Sequence, residues 1–561
     1  MADLIRRKYS SFRGCDFRGI EVNLQRSPDC LNVWKDYRAT ESICTRPGLY
    51  QKQIYSDPVY GVFFYKDEMI VHSGKKLYAS FNEEEPRVLY DATELSEGVS
   101  NAFVFDDIWY FKDGRTYLKY DGSEIEEVEG YIPTTSIGRK PMGGGTKFED
   151  VNFLSDFRKN SFLADGSSDK YYLDTKNIDT DYVPQVTVND VTYVYDVSYT
   201  VNYSEGYITF KEAPKVTGTD GRDNVVIKFK KTEPGYRSRI LNCSIVQIFD
   251  NRVFFSGNPE RPTMIWHSSL NDPTYFSDLD YYREGIDSAP IRSLVAGNNA
   301  LWVFREPSAT NTTIFYHNPA LDEEYGKVYP SVHSSITLGC EGKAINFNDD
   351  IVFFSERGME GISGDITTEQ AAAHRSTLID SKLIGRPDYK DMVLVEWEGY
   401  LFVFIGNIAF LADSRAMFQN ENHYEYEWFY WELEKPVYSA TVYDGMLYLG
   451  TNDGVYSMSD FSADVESYWV TPVDKFQNPN KLKTTNKRGC VAEATGDISV
   501  YAKLEDTDFE LIGEYKNIAD YFVSRIKRKK FKDIQLKFYS STRFSLETVT
   551  LECFIGGYIK R

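Results

Sequence analysis

The sequence runs to 561 residues, 42% hydrophobic, 15% aromatic and 26% charged, which is too long for one ordinary core and too apolar for a disordered chain. Its abundance of Tyr, Phe, Gly and Pro excludes an all-helical protein. A net charge of −21 argues against a sequence-reading nucleic-acid binder.

That charge is unevenly placed. Residues 1–50 hold nine Lys/Arg against six Asp/Glu, and residues 516–540 hold eight against two, so an acidic body carries two basic ends. The seven cysteines include no CxxC pair and read as buried free thiols in a reducing compartment, not as a disulfide scaffold or zinc site. No apolar run opens the chain and no 18-residue apolar stretch occurs, so neither a signal peptide nor a membrane span is expected, and the protein reads as one made in a cytoplasm.

In chain order, residues 1–50 lack periodicity and carry scattered Arg and single aromatics. They are expected to form an extended arm needing a partner surface, with Phe12, Arg13, Asp16, Phe17 and Arg46 as candidate contacts. Residues 51–150 then begin a recurring pattern, in which an apolar strand meets two turn-forming residues and a second apolar strand follows at once. It appears at 63–71 and 103–110 and returns through 233–464 at 246–255, 294–303, 345–354, 395–403 and 440–449. Central pairs such as Asp250-Asn251, Asn298-Asn299, Asp349-Asp350 and Asp444-Gly445 tolerate the positive φ of a two-residue hairpin turn. Turn positions 250, 298, 349, 398 and 444 recur at intervals of 46 to 51 residues, and a third short strand follows most hairpins, as propeller blades do.

The interval from 106 to 250 is too long for one blade, and residues 151–232 fill it with alternating strands read as an inserted β-sandwich. Met142-Gly143-Gly144-Gly145-Thr146 is expected to be the hinge leading into it. Thr367–Leu378, with Ala371-Ala372-Ala373 at its centre, reads as one or two helical turns on a loop. Residues 465–561 change pattern again and read as a terminal β-domain. The fold expected is therefore all-β: a β-propeller of six or seven blades with an inserted β-sandwich domain and a C-terminal β-domain, an irregular series of β-sandwiches being the alternative.

Six histidines fall in no metal-ligating spacing, and neither HExxH nor GxSxG occurs, so no catalytic residue, metal or cofactor is expected. Asp106, Asp250, Asp349 and Asp444 have a sufficient explanation as turn residues. Trp109, Trp302, Trp397 and Tyr448, placed on the second strands of their hairpins, read as blade core rather than sugar platforms. The basic cluster Arg525, Lys527, Arg528, Lys529, Lys530 and Lys532 reads as a docking patch for an acidic neighbour, or else as a solvated basic turn.

Three separated stretches are similar to one family. Phe12-Arg13-Gly14-Cys15-Asp16-Phe17, Ser27-Pro28-Asp29-Cys30-Leu31-Asn32 and Thr45-Arg46-Pro47-Gly48 open the chain, Gly257-Asn258-Pro259, Trp266-His267-Ser268 and Asn271-Asp272-Pro273-Thr274-Tyr275-Phe276 follow, and Tyr468-Trp469-Val470-Thr471-Pro472 lies near the end. Together they resemble the tail nozzle, or packaged-DNA stabilisation (tail tubular protein B), proteins of short-tailed bacteriophages. The resemblance implies a structural virion protein made in the bacterial host cytoplasm. Six copies would ring the tail channel below the portal and adaptor, contact other tail proteins such as fibres or a needle, retain the packaged genome and let it leave. DNA would pass without sequence-specific binding, sliding past an acidic lumen. Two other readings stay open: a glycan-binding propeller module for receptor recognition, and a propeller glycosidase.

Overall fold

In the computed structural model, residues 3–37, 42–81, 84–93, 95–216, 221–323, 326–362, 372–420, 423–527 and 530–558 are described. No helix among them is long and apolar enough to cross a membrane.

The hairpins are set by their turns. In all seven, both central residues take positive φ: Lys66-Asp67, Asp106-Asp107, Asp250-Asn251, Asn298-Asn299, Asn348-Asp349, Glu398-Gly399 and Asp444-Gly445. This is the mirror-image turn whose twist matches that of the strands it joins, and Asn, Asp and Gly adopt it at least cost. The fifth turn departs from expectation, being Asn348-Asp349 rather than Asp349-Asp350. Asp350 opens the next strand, paired with Phe347, and its buried carboxylate receives Arg375. A one-residue slip would turn that carboxylate, and every side chain after it, to the other face.

A Cβ on Gly445 would meet nothing within 4 Å, so replacing this residue by valine tests φ alone. Gly445→Val is expected to cost about 1–2 kcal/mol, read as a lowered urea midpoint.

Each hairpin extends into a blade of four antiparallel strands. Blades 1 to 5 occupy 59–91, 101–127, 245–283, 291–333 and 344–374. Blade 6 spans 393–432, and blade 7 combines 437–460 with Gly48–Ile54, drawn from the beginning of the chain. That borrowed strand ties the two ends of the ring together, and Phe64 of blade 1 stacks on Tyr443 of blade 7 with ring centroids 4.0 Å apart. The propeller therefore has seven blades. Trp109 and Trp302 are blade core, as expected. Trp397 instead ends the first strand of its hairpin, stacks on Trp34, and donates its indole N–H to the Gly445 carbonyl at 2.9 Å. It joins two blades rather than filling one. Ala372–His374 is the outer strand of blade 5 and not part of a helix, and 375–378 form no helix either; residues 367–371 of the helical-looking stretch lie outside the described residues.

The inserted module has its own core, built around Phe162, Tyr171, Ile208, Phe210 and Ile227, between a six-stranded and a three-stranded sheet. It is a sandwich, but it begins earlier than 151. Thr134–Arg139 runs parallel to Phe157–Phe162, a pairing that no hairpin signal announces. The triple glycine consequently lies inside the module, turning Thr134–Arg139 into Thr146–Lys147. It is no hinge: a Cβ on Gly145 would come within 2.7 Å of the Ile137 carbonyl oxygen.

The first 50 residues are not an arm awaiting a partner. Asp3–Ser10 pairs along its whole length with Phe544–Tyr558, Ile43–Thr45 joins that strand too, and Cys30–Leu31 pairs with Ser467–Val470. N- and C-terminal segments thus build one ten-stranded sheet, and Gly14–Cys15 reaches the outer strand of blade 6. The C-terminal β-domain is shared between both ends of the chain. All seven cysteines are free, six of them buried.

Candidate assembly joints and interfaces

The junction of the insert and blade 3 is dense with hydrogen bonds. Asn152, 1% exposed, donates through Nδ2 to the carbonyls of Tyr131 and Thr274, both at 2.9 Å. Its Oδ1 accepts from the N–H groups of Leu154 and Phe276 at 3.1 and 3.0 Å. One amide therefore binds the segment leaving blade 2, the first turns of the neck, and the 271–276 loop. Tyr275 adds an O–H bond to the Asp150 carbonyl, and Asp272 caps the same loop by accepting from Thr274 N–H.

The return of the insert is fixed in a matching way. The short helix Tyr236–Leu241 ends against buried Asn258, whose Nδ2 donates to the Ser238 and Arg239 carbonyls. Lys112 of blade 2 donates to the Leu241 carbonyl, and its complete burial pushes its ammonium down to about 8. These bonds satisfy carbonyls that a helix end leaves without partners. In blade 3, buried Trp266 packs in the core, and Ser268 Oγ accepts from Val253 N–H.

The second joint is the composite sheet. Phe12 is buried edge-on against Trp469, centroids 5.2 Å apart. Ser27 Oγ donates to the Val470 carbonyl at 2.7 Å, and Tyr468 O–H reaches Asp29. Arg46 is wholly buried, donating to Asn32 Oδ1, the Pro47 and Glu432 carbonyls, and Glu434. Asp16 holds Arg18, Arg13 stands 3.6 Å from Glu427, and Phe17 meets Tyr430 edge-on. Four of the five residues expected to contact an outside partner are engaged within the chain, while Arg13 stays 44% exposed. An Arg buried with such partners is bound too tightly to serve another surface.

Blades 5 and 6 meet through charged groups that sequence reading did not single out. Arg375 spans Asp350, at 2.8 Å, and the Tyr424 carbonyl, at 3.0 Å, while Tyr426 O–H donates to the same Asp350. Arg26 forks onto buried Glu427 at 2.8 and 2.7 Å. His374 lies between Glu360 and Asp380, at 2.9 and 2.7 Å. Burial opposes its charge, but hydrogen bonds to Asp380 and Glu360 outweigh burial and hold the imidazolium up to about 10. Because this value is raised above the ordinary 6.5, the stabilisation is complete below about pH 6.5 and lost as pH rises through about 10. The thermal midpoint of the wild type is expected to fall over that window, and the fall to flatten in His374→Gln.

The basic patch is exposed where it is described. Arg525, Lys527, Lys530 and Lys532 follow the strand Tyr521–Ser524; Arg528 and Lys529 lie outside the described residues. Arg525, Lys527 and Lys530 border a pocket of about 250 Å³. Along the propeller axis lie cavities of about 360 and 600 Å³ with Lys343 reaching both, the larger lined also by Asp113, Arg292, Lys390 and Asp391. Among the described residues no three His, Cys, Asp or Glu side chains group as a metal site.

No family model and no curated protein matches this chain. Among solved structures, BamB from Moraxella catarrhalis aligns over 74% of this chain and 96% of its own at 12% identity, with a TM-score of 0.34. The computationally designed Ika8 protein aligns over 73% and 99% at 11% identity, TM-score 0.33. The Pan2 WD40 domain of Neurospora crassa aligns over 74% and 95% at 8% identity, TM-score 0.27. The seven-blade assignment stands on the strand pairing of this chain itself.

Proposed function

We propose that this chain is the repeating subunit of a ring-shaped tail nozzle in a short-tailed bacteriophage, a structural virion protein that retains packaged DNA and forms its exit channel. The observation carrying this reading concerns the stretches that resemble that family. Phe12–Phe17, Ser27–Asn32 and Tyr468–Pro472 lie far apart in sequence but interlock in one joint, where Cys30 pairs with Trp469 and Phe12 packs on the same indole. The stretch 257–276 supplies Asn258, Thr274, Tyr275 and Phe276 to the neck of the insert. The resemblance thus falls on the joints that weld propeller, insert and terminal sheet together, which is where a load-carrying subunit needs its invariant geometry.

DNA passage belongs to the lumen of the ring and not to a propeller axis, where the cavities reach only about 360 and 600 Å³. The acidic body disfavours phosphate adhesion along such a lumen. Portal and adaptor would lie above the ring, and fibres or a needle against its outer faces.

The test is to assemble particles in a host where this chain is withheld. Filled heads that lose their genome, with tails lacking the nozzle, are expected. Genome-retaining, infectious particles without the chain would overturn the reading, and saturable binding of the purified chain on a glycan array would favour receptor recognition instead.

A further inference from the structure

First strands of successive blades touch one another around the propeller axis, from Asn101–Phe105 of blade 2 round to Val59–Tyr65 of blade 1. The cavity of about 600 Å³ lies where these strands begin, and two cations border it from adjacent blades. Lys343 directly precedes Ala344–Phe347, the first strand of blade 5, and borders the smaller cavity as well. Arg292 lies in Ile291–Gly297, the first strand of blade 4, at a bulge: Ile291 faces Arg305 and Ser293 faces Phe304, which leaves Arg292 unmatched. A bulge re-aims the side chain of its extra residue. Ser293 Oγ accepts from Ala344 N–H at 3.0 Å, so the residues next to the two cations are held together.

Neither cation is fully satisfied within the chain. The Lys343 ammonium makes no hydrogen bond and no ion pair among the described residues. Burial pushes it below the ordinary lysine range; Asp391 draws it back up, and Arg292 pushes it further down. Arg292 stands 2.9 Å from Glu306 at Nε, and no hydrogen bond occupies either of its terminal nitrogens among the described residues. Two like charges that repel in an enclosed space are costly unless an anion comes between them. The carboxylates on the same wall do not fill that place. Asp113 is consumed in its own turn, accepting from the N–H groups of Ser96, Arg115 and Thr116 at 2.7, 2.9 and 2.7 Å. Asp391 is exposed, follows Lys390 of opposite charge, and forms no ion pair with either cation.

We propose that this end of the axial channel binds a small oxyanion, a phosphate or carboxylate group, held by the Lys343 ammonium and the terminal N–H groups of Arg292. A guanidinium offers a planar pair of donors that fits either group, and the ammonium supplies a point charge beside it. A cavity of about 600 Å³ has room for a small molecule carrying such a group. The site lies inside one propeller and does not depend on how copies assemble.

The test titrates the full chain with inorganic phosphate and, separately, with succinate, by isothermal titration calorimetry in a buffer whose only other anion is chloride. Saturable one-to-one binding of at least one of them is expected; phosphate alone would identify a phosphate ligand, and succinate alone a carboxylate. Lys343→Met and Arg292→Met should each weaken that binding at least tenfold. Arg292→Lys, which keeps the charge but not the fork, should recover only part of it. Without added ligand, Lys343→Met should melt no lower than the wild type, because it removes a charge that has no partner. Binding of neither anion, or binding unchanged in Lys343→Met, overturns the site. A Lys343→Met chain that melts well below the wild type would show that the ammonium is already satisfied, and overturns it too.

Discussion

Replacing Arg375 with methionine should lower stability by about 3–5 kcal/mol, the usual result of removing one partner from a buried ion pair. The guanidinium is 1% exposed, and Asp350, its carboxylate partner, is also buried. Without Arg375, Asp350 keeps only the Tyr426 hydroxyl among the donors described above. The Tyr424 carbonyl loses its donor as well, and the guanidinium no longer lies over the Tyr424 ring at 4.1 Å. Compensation through packing is restricted, because Gly361 passes so close that a Cβ there would meet Arg375 Nε at 2.6 Å. The damage falls on the seam between blades 5 and 6, so the first unfolding transition in urea should move. Combining Arg375→Met with Asp350→Leu removes both charges and should recover much of the loss, since a paired apolar replacement leaves no stranded carboxylate. No recovery would mean that the ion pair is not the source of the cost.

Asn152→Ala is expected to cost about 3 kcal/mol, because four backbone groups lose a buried partner together. Two are carbonyls and two are N–H groups, drawn from the blade 2 exit, the neck and the 271–276 loop. The loss should be local before it is global. Hydrogen exchange should accelerate at the amides of Leu154 and Phe276, and proteases should cut the neck while the blades stay intact. Asn152→Asp separates the two halves of the site. It keeps an acceptor for both N–H groups but places a carboxylate against the Tyr131 and Thr274 carbonyls. A variant as stable as wild type would show that those two carbonyls are satisfied elsewhere.

The repeat was legible because its chemistry is local. Two residues between two apolar strands decide each hairpin, and pairs such as Asp250-Asn251 and Asp444-Gly445 accept positive φ at both places. Even there, one residue mattered: nothing beside Asp350 in sequence announces that Arg375 claims its carboxylate. The N-terminal segment hides its pairing for the opposite reason. Asp3 pairs with Ile555 and Arg46 reaches Glu434, contacts whose partners lie hundreds of residues away and leave no periodicity near the N-terminus. The short strands Gly14–Cys15, Arg26–Ser27 and Cys30–Leu31 are too brief to show alternation. The insert shows in its alternating strands, but its first strand pairs in parallel and belongs to no hairpin, so its N-terminal boundary leaves no local signal. Asn152 carries no sequence signal, since a single Asn between Val151 and Phe153 belongs to no motif or repeat. The triple glycine, in contrast, signalled too much: glycines demanded by a tight turn look the same as glycines in a hinge.

The central claim is that this chain works as a subunit repeated around the tail axis. Electron cryo-microscopy of the assembled particle, without imposed symmetry and with density matched to the seven-bladed ring and its insert, tests it most directly. A closed ring of identical copies below the portal and adaptor is expected, with propellers surrounding a DNA-wide lumen. Density for a single copy, or for copies set away from the tail axis as separate appendages, would contradict it.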